Sequence, residues 1–439
     1  MSDYDTTAVS EWMKEWYSQK DYFKPYQEDY TPLLSDIEAC PDEPVKGKRW
    51  NVPLFLATAF NVTTGPEGGP QPDVVADSEI QGQVLATEFK GSVKLTELLE
   101  RQGTGEAHFN GGALDHQMKS NTSDLAKLMQ IMLWGHGTGR VAVVDQTEVG
   151  VNYFKARLPW SILRVRKNMR IREYDTDTGG TSQWADSPRK ITKIDRTTNG
   201  DPGGAGYNTY QGVVYFDGAA VTVTAGMGIY PEGTYGYAPN GIDGLIGSET
   251  IAPTFLTKSR ATYPELNTNR LHNSGVPRAL SEDLMRQMGD MIYFNGGSLE
   301  SIRCNAGIIN AFANLQSPDK RYSIVRGEFP KYIQGHRTGD LLFAYDDATV
   351  TIKKDPQCPA RTMKFLNFKE SFYKHTTAEL GFLNRGGNIL LPLPSEGGGG
   401  YDFAFTARLY AAMNISNYYP LMNGSLEDLA DFSLAGDTL

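Results

Sequence analysis

Cysteine is scarce in this chain of 439 residues: Cys40, Cys304 and Cys358 are odd in number, far apart and never spaced as CxxC. That excludes a disulfide framework and a cysteine zinc site, and it suits folding in a reducing compartment. No apolar run approaches the ~20 residues that a membrane-spanning helix requires. The N-terminus has neither the basic nor the apolar region of a signal peptide, so the expectation is a chain that is cytosolic when made and not inserted in a membrane. The six histidines (His108, His116, His136, His272, His336, His375) form no HxH or HExxH pattern, and read as isolated residues rather than metal ligands. No GxSxG elbow occurs. SxxK occurs at Ser187, Ser317 and Ser371 without SDN or KTG, and the first two serines precede proline, which suits a turn. Gly135-His-Gly-Thr-Gly139 lacks the lysine and hydroxyl residue of a phosphate loop. Asp175-Thr-Asp-Thr-Gly-Gly180 opens like a calcium loop, but its fifth position is glycine and its twelfth, Asp186, is no bidentate glutamate. These absences leave no catalytic, cofactor-binding or metal residues to name and no enzyme to expect.

Aromatic residues, by contrast, make up 11% of the chain, and 46 glycines with 23 prolines point to many turns and strands. The net charge of −10 is unevenly placed. Residues 1–45 hold 11 acids and 3 bases, while the remainder holds 41 acids and 39 bases. The body is almost neutral and the acidity belongs to an N-terminal arm. Within that arm Val9, Trp12, Met13 and Trp16 share one face of a helix expected over 8–19. The arm either packs on its own domain or reaches a neighbour.

The stretch around which the rest is organised is 49–95. Trp50, Val52, Leu54, Leu56 and Phe60 alternate as in a strand with one buried face. The tip, Thr64-Gly-Pro-Glu-Gly-Gly-Pro-Gln-Pro-Asp73, is unfit for helix or inner strand. A return arm follows over 80–95, and its apolar phase moves from even (Ile80, Val84) to odd (Leu85, Phe89, Val93, Leu95), as a bulge would produce. A twelve-residue arm spans roughly 40 Å. An isolated two-stranded hairpin is marginal in water, so this one is expected to lie on another copy of the chain.

Helical spacing then predicts a long helix over 108–134, divided near 120–123 and closed by the glycines of 135–139. From 141 to 247 the pattern is β throughout, with strands expected at 140–144, 163–165, 170–173, 191–194, 212–216 and 220–224, which suggests a small barrel or sandwich. Ser281 is expected to cap a helix to 293, and a second helix covers 306–315. Strands at 341–345, 349–353 and 387–393 precede a helix expected at 406–413.

This order of elements resembles the Hong Kong 97-type major capsid proteins of tailed bacteriophages. Lys48-Arg-Trp-Asn-Val-Pro-Leu54 resembles the first arm of that family's extended loop. The helix ending at Gly135-His-Gly-Thr-Gly139 is similar to its spine helix. Leu163-Arg-Val-Arg-Lys-Asn-Met-Arg-Ile171 with Ile191-Thr-Lys-Ile-Asp195 is similar to the β-insertion of many members. The segments 281–297 and 302–315 look like the helical pair of the axial domain, and 403–420 like the return of the peripheral domain. The resemblance implies an α+β fold parsed as N-terminal arm 1–45, extended β-hairpin 46–96, peripheral domain with spine helix 97–140, β-rich insertion 141–250, axial helices 251–340, and return strands with a tail 341–439. It implies self-assembly into hexamers and pentamers of an icosahedral virion shell around double-stranded DNA held without sequence specificity. A portal protein and a decoration or cement protein are the further partners it implies, and no cofactor. A separate scaffolding protein is expected as well, because the 48 residues before Arg49 carry four prolines and leave no room for a long helical built-in scaffold. Contacts between copies are expected at Trp12, Trp16, Trp50, Val52, Leu54, Leu56, Phe60, Glu67 and Phe89. The rivals are an encapsulin-like nanocompartment, which would share the fold, and a soluble carbohydrate-binding β-protein, which would explain the tyrosine-rich turns but not the long helix.

Overall fold

The structure, a computed structural model, describes residues 32–40, 49–59, 61–62, 64, 73, 76–96, 112–159, 162–174, 184, 188–199, 202–203, 207–248, 252–315, 341–345, 348–384, 390–394 and 401–433. It has two compact units, one of Met1–Lys46, Ala86–Gln130 and Lys374–Asn414, the other of Gly47–Leu85, Ile131–Tyr373 and Ile415–Leu439.

The expected hairpin is present as strands β1 (Arg49–Ala57) and β2 (Ser78–Leu85), antiparallel from Arg49 opposite Leu85 to Ala57 opposite Ser78. The phase change after Val84 is not a bulge in one continuous arm. The chain leaves the hairpin at Leu85 and begins a new strand, β3 (Thr87–Thr96), in the other unit. The side-chain parity resets because the two strands serve different sheets.

Helix α1 (Gly112–Leu133) runs unbroken through the predicted division at 120–123. Its buried stripe includes Leu125, Met129, Met132 and Leu133. The glycine turn that follows closes it as expected: Gly135 N–H returns to Met132 O at 2.9 Å, and Gly137 and Gly139 take φ of +85° and +89°.

The β-region is a small barrel. Strands β4 (Ala142–Val143), β5 (Tyr153–Arg157), β6 (Arg170–Tyr174), β7 (Arg189–Asn199), β8 (Tyr210–Phe216) and β9 (Gly228–Pro231) follow the order β4-β9-β6-β7-β8-β5. A bridge from Val144 to Ala156 and the bond from Asp145 N–H to Lys155 O bring the last strand back to the first. Phe154, Ile171, Ile191, Val214, Phe216 and Ile229 fill the interior. The strand predicted at 163–165 is instead a 3-10 turn, Ile162–Arg164. Arg164 is drawn inward there to donate to Gln357 O (2.7 Å) and Trp134 O (3.3 Å).

The larger unit also holds a mixed six-stranded sheet. Its strands are β10 (Asn269–Leu271), β11 (Ser301–Cys304), β12 (Leu341–Tyr345), β13 (Ala348–Lys354), β14 (Met363–Leu366) and β18 (Gly424–Leu426), ordered β10-β18-β14-β11-β13-β12. Helices α2 (Glu282–Phe294) and α3 (Ala306–Leu315) supply Met285, Met288, Ile292, Ile308 and Phe312 to its core. Ser281 caps α2 as predicted, accepting from Leu284 N–H at 3.3 Å.

In the smaller unit β15 (Phe372–Phe382), β16 (Leu390–Pro394) and β17 (Tyr401–Asn417) form a sheet with Glu38–Ala39. β3 pairs with β17 from Thr96 opposite Ala404 to Thr87 opposite Met413. The helix expected at 406–413 is therefore a strand. Above β3, Asn121 of α1 donates to Ser92 O at 2.9 Å.

Candidate functional site

Alternation in β1 sends even residues to one face of the hairpin and odd residues to the other. Val52 (0% exposed), Leu54 (1%) and Val84 (0%) are already covered by the chain itself. Part of the cover at Leu54 is the tight turn after Thr254–Phe255. Leu256 O accepts Gln83 N–H at 2.9 Å, and a Cβ on Gly82 would stand 3.0 Å from both Leu256 Cβ and Leu54 Cδ1. Leu256 and Thr257 hold φ of +43° and +74° without being glycine. Such a conformation costs on the order of 1–3 kcal/mol, and here it presents the Leu256 carbonyl to the hairpin.

This corrects the expectation that the even face is buried only when copies meet. Trp50 and Leu56 are half-buried, and Phe89 is buried in β3 rather than carried on the hairpin. The face left open is the odd one, which pairs Arg49 with Leu85, Asn51 with Gln83, Pro53 with Gln81 and Phe55 with Glu79. Phe55 and Leu85 are each 45% exposed on it. The sequence signal was the alternation itself; what it lacked was which apolar phase the rest of the chain would cover. Trp12, Trp16, Phe60 and Glu67, the helix expected at 8–19 and nearly all of the hairpin tip lie outside the described residues.

Beyond the end of α1, the larger unit buries a network of polar groups. Trp134 Nε1 donates to Asp355 Oδ2 (2.9 Å), and Asp355 Oδ1 accepts Gln357 N–H (2.9 Å). Lys364 pairs with Asp243 at 2.8 Å and donates to Ser425 Oγ at 2.9 Å, while Arg270 forks onto Glu427. Burial opposes the Lys364 charge, but Asp243 and Glu427 outweigh it and raise the lysine. Glu427 is lowered in turn, because Lys364 and Arg270 overcome its burial. His136 is pushed well below its ordinary value by burial and by Arg140, Lys364 and Arg164 around it. Burial also pushes the Cys304 and Cys358 thiols up.

The chemistry open to such a network is narrow. A lysine held as ammonium has no lone pair, and a thiol kept protonated is a poor nucleophile. Among the described residues no three His, Cys, Asp or Glu side chains converge as a metal site, and no helix is long and apolar enough to cross a membrane. The network is a structural joint. The helix end, the barrel and the sheet meet there through backbone as well as side chains: a Cβ on Gly241 would lie 2.0 Å from Gly135 O, and one on Gly244 would lie 2.6 Å from His136 O.

No protein-family model and no curated protein matches the sequence. Solved structures do. A chain of the cyanophage A-1(L) capsid asymmetric unit is similar over 95% of this chain and 96% of its own, with 11% identity and a TM-score of 0.56. A chain from mycobacterium phage Bobi and one from the capsid of the native GTA particle are each 8% identical, over 97% of this chain and 99% of theirs, with TM-scores of 0.45. The cyanophage match, nearly end to end, establishes the fold as the α+β Hong Kong 97-type expected from the sequence.

Proposed function

We propose that this chain, having the fold of a cyanophage capsid chain, is a major capsid protein that assembles into hexamers and pentamers of an icosahedral phage head enclosing double-stranded DNA. The observation that carries the reading is the fold match over 95% of the chain. The hairpin's geometry supports it. One face is locked on its own unit and the other presents Phe55 and Leu85 to solvent, an arrangement that a neighbouring copy completes under closed symmetry. Trp50, Leu56, Phe60 and Glu67 on the hairpin, with Trp12 and Trp16 on the arm, are proposed to contact neighbours. The buried joint suits a subunit that has to act as a rigid tile rather than an enzyme. The arm, hairpin, insertion, axial and peripheral divisions read from the sequence are carried forward as the working map.

The finer partners follow from the same reading. A scaffolding protein guides curvature, a portal fills one vertex, decoration proteins hold joints, and the mature location is the virion. Expression with the neighbouring head genes, followed by electron microscopy of the pelleted material, tests it. Closed shells that take up DNA when packaging components are present support a phage head. Closed shells that form without a scaffold and load a protein cargo would instead favour the nanocompartment, and small soluble oligomers would sink both.

A further inference from the structure

The barrel carries a charge pattern that assembly alone does not explain. Residues 154–172 hold seven bases and no acid, and 189–196 hold four bases and one acid. These two stretches form β5, the 3-10 turn, β6 and the first part of β7; β6 and β7 are neighbouring strands, and β5 lies on the far side of β8. Arg157, Lys167, Arg170, Lys190, Lys193 and Arg196 are exposed. Arg170 stands directly opposite Lys190 in the β6–β7 ladder, where like charges repel. Glu232 reaches Arg170 Nε at 3.1 Å, but that contact is solvent-exposed on both sides and weak. The strands thus maintain a local repulsion that a carboxylate-bearing partner would relieve.

The same chain supplies such a partner. Residues 1–45 carry 11 acids against 3 bases, with Trp12, Trp16, Tyr17, Tyr22, Phe23 and Tyr26 among the acids. Along β7 and its neighbours the basic strip also offers aromatic faces, including Tyr215, over which Lys193 lies at 5.3 Å, and Tyr153 at 5.7 Å from Tyr215. We propose that the basic face of the barrel is the docking surface for the acidic N-terminal arm of a neighbouring copy. The inference rests on the shell reading above and adds which surface the arm takes. In a closed assembly every copy gives one arm and receives one, so the two charges balance copy by copy. Nucleic acid is the competing occupant of a basic strip. The arm is favoured because it is present in every copy in equal number.

The test uses assembled shells made from mixed light and heavy-isotope subunits. A zero-length carbodiimide joins carboxylates to lysine amines in contact, and mass spectrometry locates the links. Links from Lys167, Lys190 or Lys193 to acids of residues 1–31, half of them isotopically mixed, are expected. Their yield should fall at least fivefold in Lys190→Glu/Lys193→Glu shells and in about 1 M salt, where charge is screened within ~3 Å. Lys190→Gln, which removes charge without reversing it, should give an intermediate loss and guards against misfolding of the double variant. Links confined to one isotope would place the arm on its own copy and overturn the proposal. Lysines shielded only in DNA-filled shells, with no arm links, would overturn it in favour of nucleic acid. Shells that form normally but lack these links sink this inference alone, whereas failure to form shells sinks the capsid reading with it.

Discussion

The two faces of β1 should respond oppositely to substitution. Leu54 is 1% exposed and packed under Leu256 and Gly82 within its own chain, whereas Phe55, the next residue, is 45% exposed on the open face. Leu54→Ala removes buried methyl groups and leaves a cavity, which costs about 2–5 kcal/mol. It should lower the denaturation midpoint of the isolated subunit. Phe55→Lys places an amine opposite Glu79, a favourable cross-strand pair, so the free subunit should change by no more than about 0.5 kcal/mol. Assembly is another matter. Burying the remaining 45% of Phe55 contributes about 1 kcal/mol per copy at most, but an ammonium carried into a dry contact costs several kcal/mol. Phe55→Lys subunits should therefore stay folded by circular dichroism and fail to form shells. A Leu54→Ala subunit of unchanged stability, or Phe55→Lys subunits that assemble normally, would refute the assignment of inner and outer faces.

Further expectations concern the joint and the shell. Gly241→Ala forces a Cβ onto Gly135 O, where only backbone could yield. It should cost about 1–3 kcal/mol or more, or prevent folding, while Gly381→Ala, with open space around it, should be nearly silent in the same denaturation assay. His136 is held below its ordinary value in the folded chain, so below pH ~6.5 the unfolded state takes up a proton that the folded state resists. Stability should fall from pH 6.5 to 5 by up to ~1.4 kcal/mol per unit, and His136→Gln should flatten that slope; an unchanged slope would show that another group governs it. Glu427 is lowered instead, so its contribution is lost only at more acidic pH, as pH falls through its folded value. Residues 61–89 contain no lysine; Lys46 and Lys48 precede the first arm in sequence, and Lys90 and Lys94 belong to β3 rather than to the hairpin. Boiled, reduced virions should accordingly run as a single band near 48.5 kDa, and a ladder of covalent multimers would contradict a non-covalent shell.

Local signals were legible where one physical rule acted alone. The period-2 pattern found the hairpin, Ser281 marked the start of α2, and the glycines of 135–139 marked the end of α1. The failures come from burial that is not local. In β17, Ala407, Leu409, Ala411, Ala412, Met413 and Ile415 are all buried. Arg408 is exposed and Tyr410 half-buried, but from Ala411 onward both faces are covered, so the alternation is lost there and the Ala, Leu and Met of the stretch read as helix. Arg164 read as part of a strand because nothing nearby in sequence reveals the carbonyls of Trp134 and Gln357 that bend its segment inward. The phase change at Val84–Leu85 was visible, but one sequence cannot distinguish a bulge from a strand that leaves for another sheet. The open face of the hairpin was misassigned for a related reason: Leu256 lies about 200 residues away and supplies the cover.

The most direct test is a cryo-electron-microscopy reconstruction of the particle formed when the protein is expressed with the proposed scaffolding protein. The account predicts an icosahedral shell in which the inner face of residues 49–57 and 78–85 rests on the same copy's Leu256 turn, while Phe55 and Leu85 are buried by a neighbouring copy. A homogeneous preparation of monomers, or a shell in which the Phe55 face remains in solvent, would contradict it.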